Sequence, residues 1–306
     1  MENKKLVTLF TPTYNREKLL PHLYQSLCNQ TSADFTWLVI DDGSTDHTEQ
    51  LIQQYISEQK IDVEYYKKSN GGKYTAYNFA LDHISTELVM IAMDSDDWLK
   101  SDAVEKIVQE WKKAEQSGIG ASGLVFMKEN PNGEPLLDTY NEKHLVRNPS
   151  LQEAAIHHWF YGEAAYIFKT EYIKKFRYPG KRGERFFNEA YTYIQMDQPM
   201  KWNKDSIYIA DYQEDGMTKN FLNMILNSPV NYATYANMMA KWNLSYTQKI
   251  KYTLYFDAFS LYGGEKSYLQ KASCPLTAHI CYPVSIIIAA ILRRKARNMG
   301  MLDEEV

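Results

Sequence analysis

The sequence predicts an α/β fold, a mostly parallel sheet flanked by helices, with a helical extension at its C-terminal end. Three observations predict it. Strand-like and helix-like segments alternate through the first 130 residues, the pattern of repeated βα units. Three of the apolar runs end in polar clusters, at residues 11–15, 41–46 and 94–97, and parallel sheets bind ligands beyond the C-terminal ends of their strands. Residues 231–263 abandon the alternation for a helical stretch rich in Tyr, Met and Asn.

Each element follows from local pattern. Residues 6–10 form an apolar run that stops at Thr11 and Pro12, and residues 16–29 carry Leu19, Leu20, Leu23 and Leu27 at helical spacing. Residues 35–40 are the next strand. Residues 46–57 form a helix, with Asp46 and Glu49 placed to cap its start. Residues 63–66 read as a strand, 73–84 as a helix with Tyr74, Tyr77, Leu81 and Ile84 on one face, 87–93 as a strand and 101–116 as an amphipathic helix. A fifth strand covers 123–128. Further on, 130–135 is a turn, 143–149 a loop, 163–169 a strand, 189–200 a helix and 206–210 a strand. No internal repeat and no linker separates independent domains.

Composition narrows the function. The chain has 306 residues, 44% of them hydrophobic and 24% charged, enough for a full-sized core and unlike collagenous or disordered sequences. Lys and Arg number 34 against 38 Asp and Glu, a net charge of −4 with no global basic field for nucleic acid. Cys28, Cys274 and Cys281 are too few and too scattered for a disulfide framework, so a reduced, cytoplasmic setting is expected. The N-terminus lacks the features of a signal peptide. Residues 280–292 form an apolar run of 13, expected to be too short to span a bilayer, and Arg293, Arg294, Lys295 and Arg297 follow it. Such a segment suits either contact with an anionic membrane surface through 280–297 or a buried helix with a solvated end.

The chemistry concentrates at the strand ends. Asp94, Asp96 and Asp97 lie within four residues, and carboxylates so close repel one another unless a cation or proton intervenes. Mg²⁺ or Mn²⁺ suits such a cluster, preferring carboxylate, water and substrate phosphate oxygens. A cap on the following helix by Asp96 or Asp97 explains the same residues structurally. Asp42 ends its strand, where a carboxylate points into the cleft and can accept from the imide N–H of uracil. Asn70, Gly71, Gly72 and Lys73 precede a helix, and glycines there let backbone N–H groups approach an anion.

In conjunction, residues 11–15 (Thr-Pro-Thr-Tyr-Asn), 41–46, 70–73 and 94–97 resemble the family 2 glycosyltransferases of the GT-A, Rossmann-like fold, across roughly residues 5–130 and more loosely afterwards. The resemblance implies that Pro12 and Tyr14 line the base pocket, that Asp42 contacts uracil, and that Asn70, Lys73 and Ser95 join the donor site. Asp94 and Asp96 would be the two Asp of a D-x-D motif and hold the metal, Asp96 the more directly. One departure stands out: where many relatives carry Arg in the Asn-x-Gly-x-x-x-Ala-Arg-Asn motif, this chain has Tyr77 between Ala76 and Asn78, and Lys73 is then the candidate cation for the same anion.

A base that deprotonates the acceptor would come from residues 183–189, which resemble the corresponding loop-to-helix junction; Glu189 is the first candidate, Glu184 the second and Asp197 the third. A carboxylate at a helix start is also what dipole stabilisation alone selects. Residues 215–220 resemble a later stretch of the same subgroup, with Lys219 near the diphosphate. The resemblance thus implies an inverting, metal-dependent transferase that moves a sugar from a nucleotide-sugar, a UDP-sugar by preference, to a glycan or lipid-linked acceptor in bacterial envelope assembly. The nucleotide half would cover about 1–130, the acceptor half 131–220 and the extension 221–306. A non-catalytic binding module of the same fold and a sugar nucleotidyltransferase are the alternatives; the latter normally has a Gly-rich loop where this chain has residues 11–15.

Overall fold

The computed structural model describes residues 4–211, 220–242 and 245–301. Its elements, in chain order, are β1 (Val7–Thr13), α1 (Leu20–Cys28), β2 (Phe35–Asp41), α2 (Thr48–Glu58), β3 (Val63–Lys67), α3 (Lys73–His83), β4 (Leu88–Met90), β5 (Trp98–Leu99), α4 (Ala103–Gln116), β6 (Gly123–Glu129), β7 (Leu137–Tyr140), α5 (Glu142–Leu145), α6 (Leu151–Ile156), β8 (Phe160–Gly162), β9 (Ala164–Lys169), α7 (Thr170–Ile173), α8 (Ala190–Tyr193), β10 (Lys201–Ile209), α9 (Phe221–Leu226), α10 (Pro229–Lys241), α11 (Tyr246–Tyr262) and α12 (Pro275–Asn298). Internal packing divides the chain into two units, residues 1–177 with 192–214, and residues 178–191 with 215–306.

In the first unit an eight-stranded sheet runs in the order β3-β2-β1-β4-β9-β6-β10-β5. The pairs β1–β2, β1–β4, β2–β3 and β6–β10 are parallel, while β9 and β5 pair antiparallel with their neighbours. The chain winds from β1 outward to β3 and then returns to place β4 on the other side of β1. That reversal leaves a crevice at the C-terminal ends of β1 and β4, the usual ligand position in such sheets. Both faces of β1 and β2 are covered, so these strands are nearly continuous apolar runs, with Val7, Leu9, Trp37, Val39 and Ile40 inaccessible to water. Trp37 keeps its indole N–H satisfied inside this core by donating to Thr11 Oγ1 at 3.0 Å.

The early elements match the sequence pattern, with shifts that have local causes. The first helix begins at Leu20 rather than residue 16, because Pro21 is pre-set for the first helical turn. The strand expected over 87–93 is shortened to β4, since Ala92 adopts a φ of 55° and leaves the ladder, although Met93 N–H still donates to Phe10 O at 2.9 Å. Residues 142–145 make a helical turn where a loop was expected.

The larger correction concerns the helix expected over 189–200, of which only the single turn α8 forms. Downstream of it the backbone is used elsewhere: Met196 O accepts from Gln152 N–H, and Ile194 O accepts from the Gln152 amide. Pro199 also biases Gln198 away from helical geometry. The helical stretch expected over 231–263 is formed by α10 and α11, the second opened by Ser245 and Gln248 in a reciprocal capping box.

In the second unit α11 packs against both α10 and α12. The apolar run 280–292 lies inside α12, which is 24 residues long. The expectation that this segment is too short to span is therefore corrected: at 1.5 Å per residue it extends ~36 Å, and by length and composition it is long and apolar enough to cross a membrane.

Candidate functional site

The crevice between β1 and β4 is built from three strand ends and one loop, all in the first unit. β1 delivers Pro12, half-buried, and then Tyr14, which is 42% exposed. Asn15, at a φ of 52°, ties this end to the turn after β2: its N–H donates to Ser44 Oγ at 2.9 Å, and its Oδ1 accepts from Thr45 N–H at 2.8 Å. β2 ends in two buried carboxylates with different employment. Asp41 accepts from Ser44 N–H at 2.7 Å and the Tyr65 hydroxyl at 2.8 Å.

Asp42 organises the loop of residues 70–73. Its Oδ1 accepts from Lys68 Nζ at 2.6 Å and Gly71 N–H at 3.0 Å, and its Oδ2 from Gly72 N–H at 2.6 Å. The turn and the loop touch so closely that a Cβ on Gly43, itself at a φ of 84°, would stand 2.9 Å from Asn70 N. A carboxylate offers about four acceptor positions, so Asp42 spends most of its capacity on the protein and keeps little for a base. Its first role here is anchoring, and Lys68, which the sequence reading passed over, is its ionic partner.

Asp94 and Asp96 follow β4. Lys73 Nζ lies 2.7 Å from Asp94 Oδ1. Burial pulls the Asp94 carboxyl upward, but Lys73, Lys128 and Arg16 outweigh it and hold this group below the usual range. Asp96 moves the other way, raised by burial and then by the charge of Asp94. Ser95 between them is buried.

Asp97 is a structural neighbour. Its carboxylate accepts from the Tyr208 hydroxyl at 2.7 Å and Asp211 N–H at 3.0 Å, and burial raises it to about 6 despite Lys128. The Tyr208 hydroxyl also accepts from Asp94 N–H at 3.0 Å, so one buried tyrosine of β10 fixes the start of the motif to the end of the sheet. Lys128 Nζ sits 4.0 Å over the same ring. Nothing local in the sequence marks Tyr208, because it lies 114 residues from Asp94.

Two features fit a polar ligand and a divalent cation. Thr13 Oγ1 and Asn70 Oδ1 are buried with no partner in the protein, and buried polar atoms are rarely left so. Among the described residues no group of three or more His, Cys, Asp or Glu gathers to hold an ion alone. Two adjacent carboxylates with opposite titration shifts leave room for the phosphate and water oxygens that Mg²⁺ prefers as its remaining ligands.

The base candidates separate. Glu184, in the second unit, accepts from Val230 N–H at 3.0 Å and Asn231 N–H at 2.7 Å, one with each oxygen, and so caps the start of α10. Glu189 precedes the one-turn α8, and its carbonyl accepts from the Tyr178 hydroxyl at 3.3 Å. A four-residue turn has little macrodipole, which weakens the explanation of Glu189 as a dipole partner. Asp197 belongs to the first unit, is exposed, and accepts from the Tyr172 hydroxyl at 3.3 Å. Lys219 lies outside the described residues.

Residues 8–186, more than half of the chain, match the sequence profile of Glycosyl transferase family 2. Glycosyltransferase GlyA of Streptococcus pneumoniae is 28% identical over 229 residues, 70% of this chain and 31% of that protein. The chain spans 16% to 31% of the length of the first three curated relatives it matches. Among solved structures, S. aureus TarS 1-349 in complex with UDP-GlcNAc superposes with a TM-score of 0.58 at 17% identity, covering 98% of this chain and 93% of that one. The mannosyltransferase PcManGT from Pyrobaculum calidifontis, in complex with GDP-Man and Mn²⁺, gives a TM-score of 0.52 at 16% identity, covering 99% and 82%. Both share the fold, and with the family profile matched across the strand ends described above, the chain belongs to glycosyl transferase family 2.

Proposed function

We propose that the chain transfers a sugar, with inversion, from a nucleotide-sugar to a hydroxyl of a glycan or lipid-linked acceptor in bacterial cell-surface polysaccharide synthesis, working in the cytoplasm. The observation that carries this reading is the convergence of Tyr14, the Asp42-anchored loop 70–73 and the Asp94–Asp96 pair at one crevice, beside two unpartnered buried polar atoms. Donor binding begins with Tyr14 and Pro12 against the base, and Asn70 and Thr13 supply free polar atoms. Lys73 brings positive charge to the diphosphate from its place on Asp94. Mg²⁺ or Mn²⁺, held by Asp94 and Asp96, would supply neutralisation of the charge that grows on the leaving diphosphate.

Glu189 is assigned as the base. It takes the proton of the acceptor hydroxyl as that oxygen bonds to the anomeric carbon, and the carbon–oxygen bond to the diphosphate breaks with its electron pair leaving on the nucleotide. A UDP-sugar is favoured as donor, in keeping with the UDP-GlcNAc bound by TarS, and the nucleotide half is taken as about 1–130, the acceptor half as 131–220 and the extension as 221–306.

The test is thermal stability against UDP-, GDP-, dTDP- and CMP-nucleotides with and without Mn²⁺. A bound ligand raises stability by mass action, so a metal-dependent rise for one base is expected, and Asp96→Ala should remove it. No rise with any nucleotide would favour a non-catalytic module.

A further inference from the structure

α12 is built inside out. The residues it turns inward are Ala278, Cys281, Ser285, Ala289, Leu292 and Ala296, mostly small and spaced three or four apart. On the opposite side Leu276, Ile280, Val284, Ile287 and Ile291, also spaced three or four apart, are 75%, 67%, 50%, 62% and 50% exposed. A water-facing helix normally sorts its residues the other way. The result is a continuous aliphatic ridge ~22 Å long at 1.5 Å per residue. It ends in Arg293, Arg294, Lys295 and Arg297, and no acidic residue occurs between 275 and 298.

We propose that this ridge lies in the plane of an anionic lipid surface, with the aliphatic side chains in the hydrocarbon boundary and the cationic end among the headgroups. Charge decides the occupant: an apolar ridge bounded by cations and free of carboxylates complements acyl chains edged by anionic headgroups. The packing decides the orientation. α11 packs on the inward face of α12, with Asp257 against Ser285 in the middle of the helix, and a perpendicular insertion would carry that carboxyl into hydrocarbon, which is costly. Lying flat, α12 buries the ridge and leaves α11 on the protein side. The inference does not depend on the transfer chemistry proposed above.

The experiment is co-sedimentation of the full chain with phosphatidylcholine vesicles, with and without phosphatidylglycerol. Binding that strengthens with phosphatidylglycerol is expected. The pair Ile287→Asp and Ile291→Asp should weaken it by about tenfold or more, and Arg294→Glu with Lys295→Glu should remove about tenfold or more of the phosphatidylglycerol-dependent part. Nucleotide binding in solution should be unchanged by either pair, which separates this test from that of the proposed function. A chain that stays in the supernatant with both vesicle types overturns the proposal. So does a concentration-dependent dimer that the isoleucine pair dissolves, since the ridge then covers a second copy. Should the substituted chains fail to fold, hydrogen exchange of the wild-type chain decides: protection over residues 276–291 on adding anionic vesicles is expected, and unchanged exchange there overturns the proposal.

Discussion

The two units solve the placement of awkward residues in opposite ways. In the first, three strand ends concentrate Asp41, Asp42, Asp94 and Asp97, and each carboxylate finds a donor within the unit: Tyr65, Lys68, Lys73 and Tyr208. In the second, Asp257 is fully buried on α11 with one oxygen unpartnered and only Ser285 Oγ, at 3.5 Å, near the other. Burial lifts its carboxyl to about 7. Six large aliphatic side chains of α12, Leu276, Ile280, Val284, Ile286, Ile287 and Ile291, are meanwhile exposed. The first unit resolves its electrostatics internally and leaves Thr13 Oγ1 and Asn70 Oδ1 buried without partners. The second keeps its unresolved groups along one helix pair, where polarity and size run against the usual sorting.

The largest expected effect tests the assigned base. Glu189→Gln should leave nucleotide binding near wild type and lower transfer by about two to four orders of magnitude, the typical loss of a general base; transfer at the wild-type rate would move that role to another residue. Within the first unit, Asp42→Ala removes the ionic partner of the mostly buried Lys68 and leaves two backbone N–H groups without their acceptor. A loss of about 3–5 kcal/mol in urea unfolding is expected, and a loss under about 1 kcal/mol would show that the loop 70–73 holds itself.

Asp257 sharpens the contrast through pH. Its folded pKa lies above its unfolded one, so the native state binds the extra proton. The stability this contributes is fully present below about pH 4 and is lost as pH rises through about 7, on the order of 4 kcal/mol in total. Melting curves of Asp257→Asn should be flatter across that window and higher than wild type at pH 8; an unchanged slope would assign the pH dependence to other groups. The smallest effect is expected from Tyr208→Phe, which removes a donor to Asp97 and an acceptor for Asp94 N–H. About 1–3 kcal/mol should be lost, together with weaker Mn²⁺-dependent nucleotide binding, whereas a purely structural tyrosine would change the melting temperature alone.

Much of the first unit is legible in the sequence, since alternating apolar runs and their polar ends are local signals. The face of Tyr74, Tyr77, Leu81 and Ile84 on the third helix is buried as its spacing predicts. The residues proposed for the donor site could be singled out because they sit beside strand ends, where any parallel sheet gathers its ligand groups. The partners of those residues were not found. Lys68 and Tyr208 carry no local mark, and their roles arise only when strands far apart in sequence become neighbours.

The same divide runs through the C-terminal half. The apolar run, the cations behind it and the lack of acidic residues are properties of the sequence, and so is the helical spacing of residues 276–291. Which side of that helix meets α11 is decided by packing: Ala278, Ser285 and Ala289 allow close approach, and the bulkier Ile280, Ile287 and Ile291 are left outward. Packing likewise cut the helix expected over 189–200 to one turn, because Gln152 and its backbone claimed carbonyls that a longer helix needs. Sequence determined the alternation, the strand-end carboxylates and the composition of α12, because those rest on the chemistry of neighbours a few residues apart. Tertiary structure alone decided which carboxylate anchors, which stays available and which face of α12 is bare, because those outcomes depend on contacts that chain separation hides.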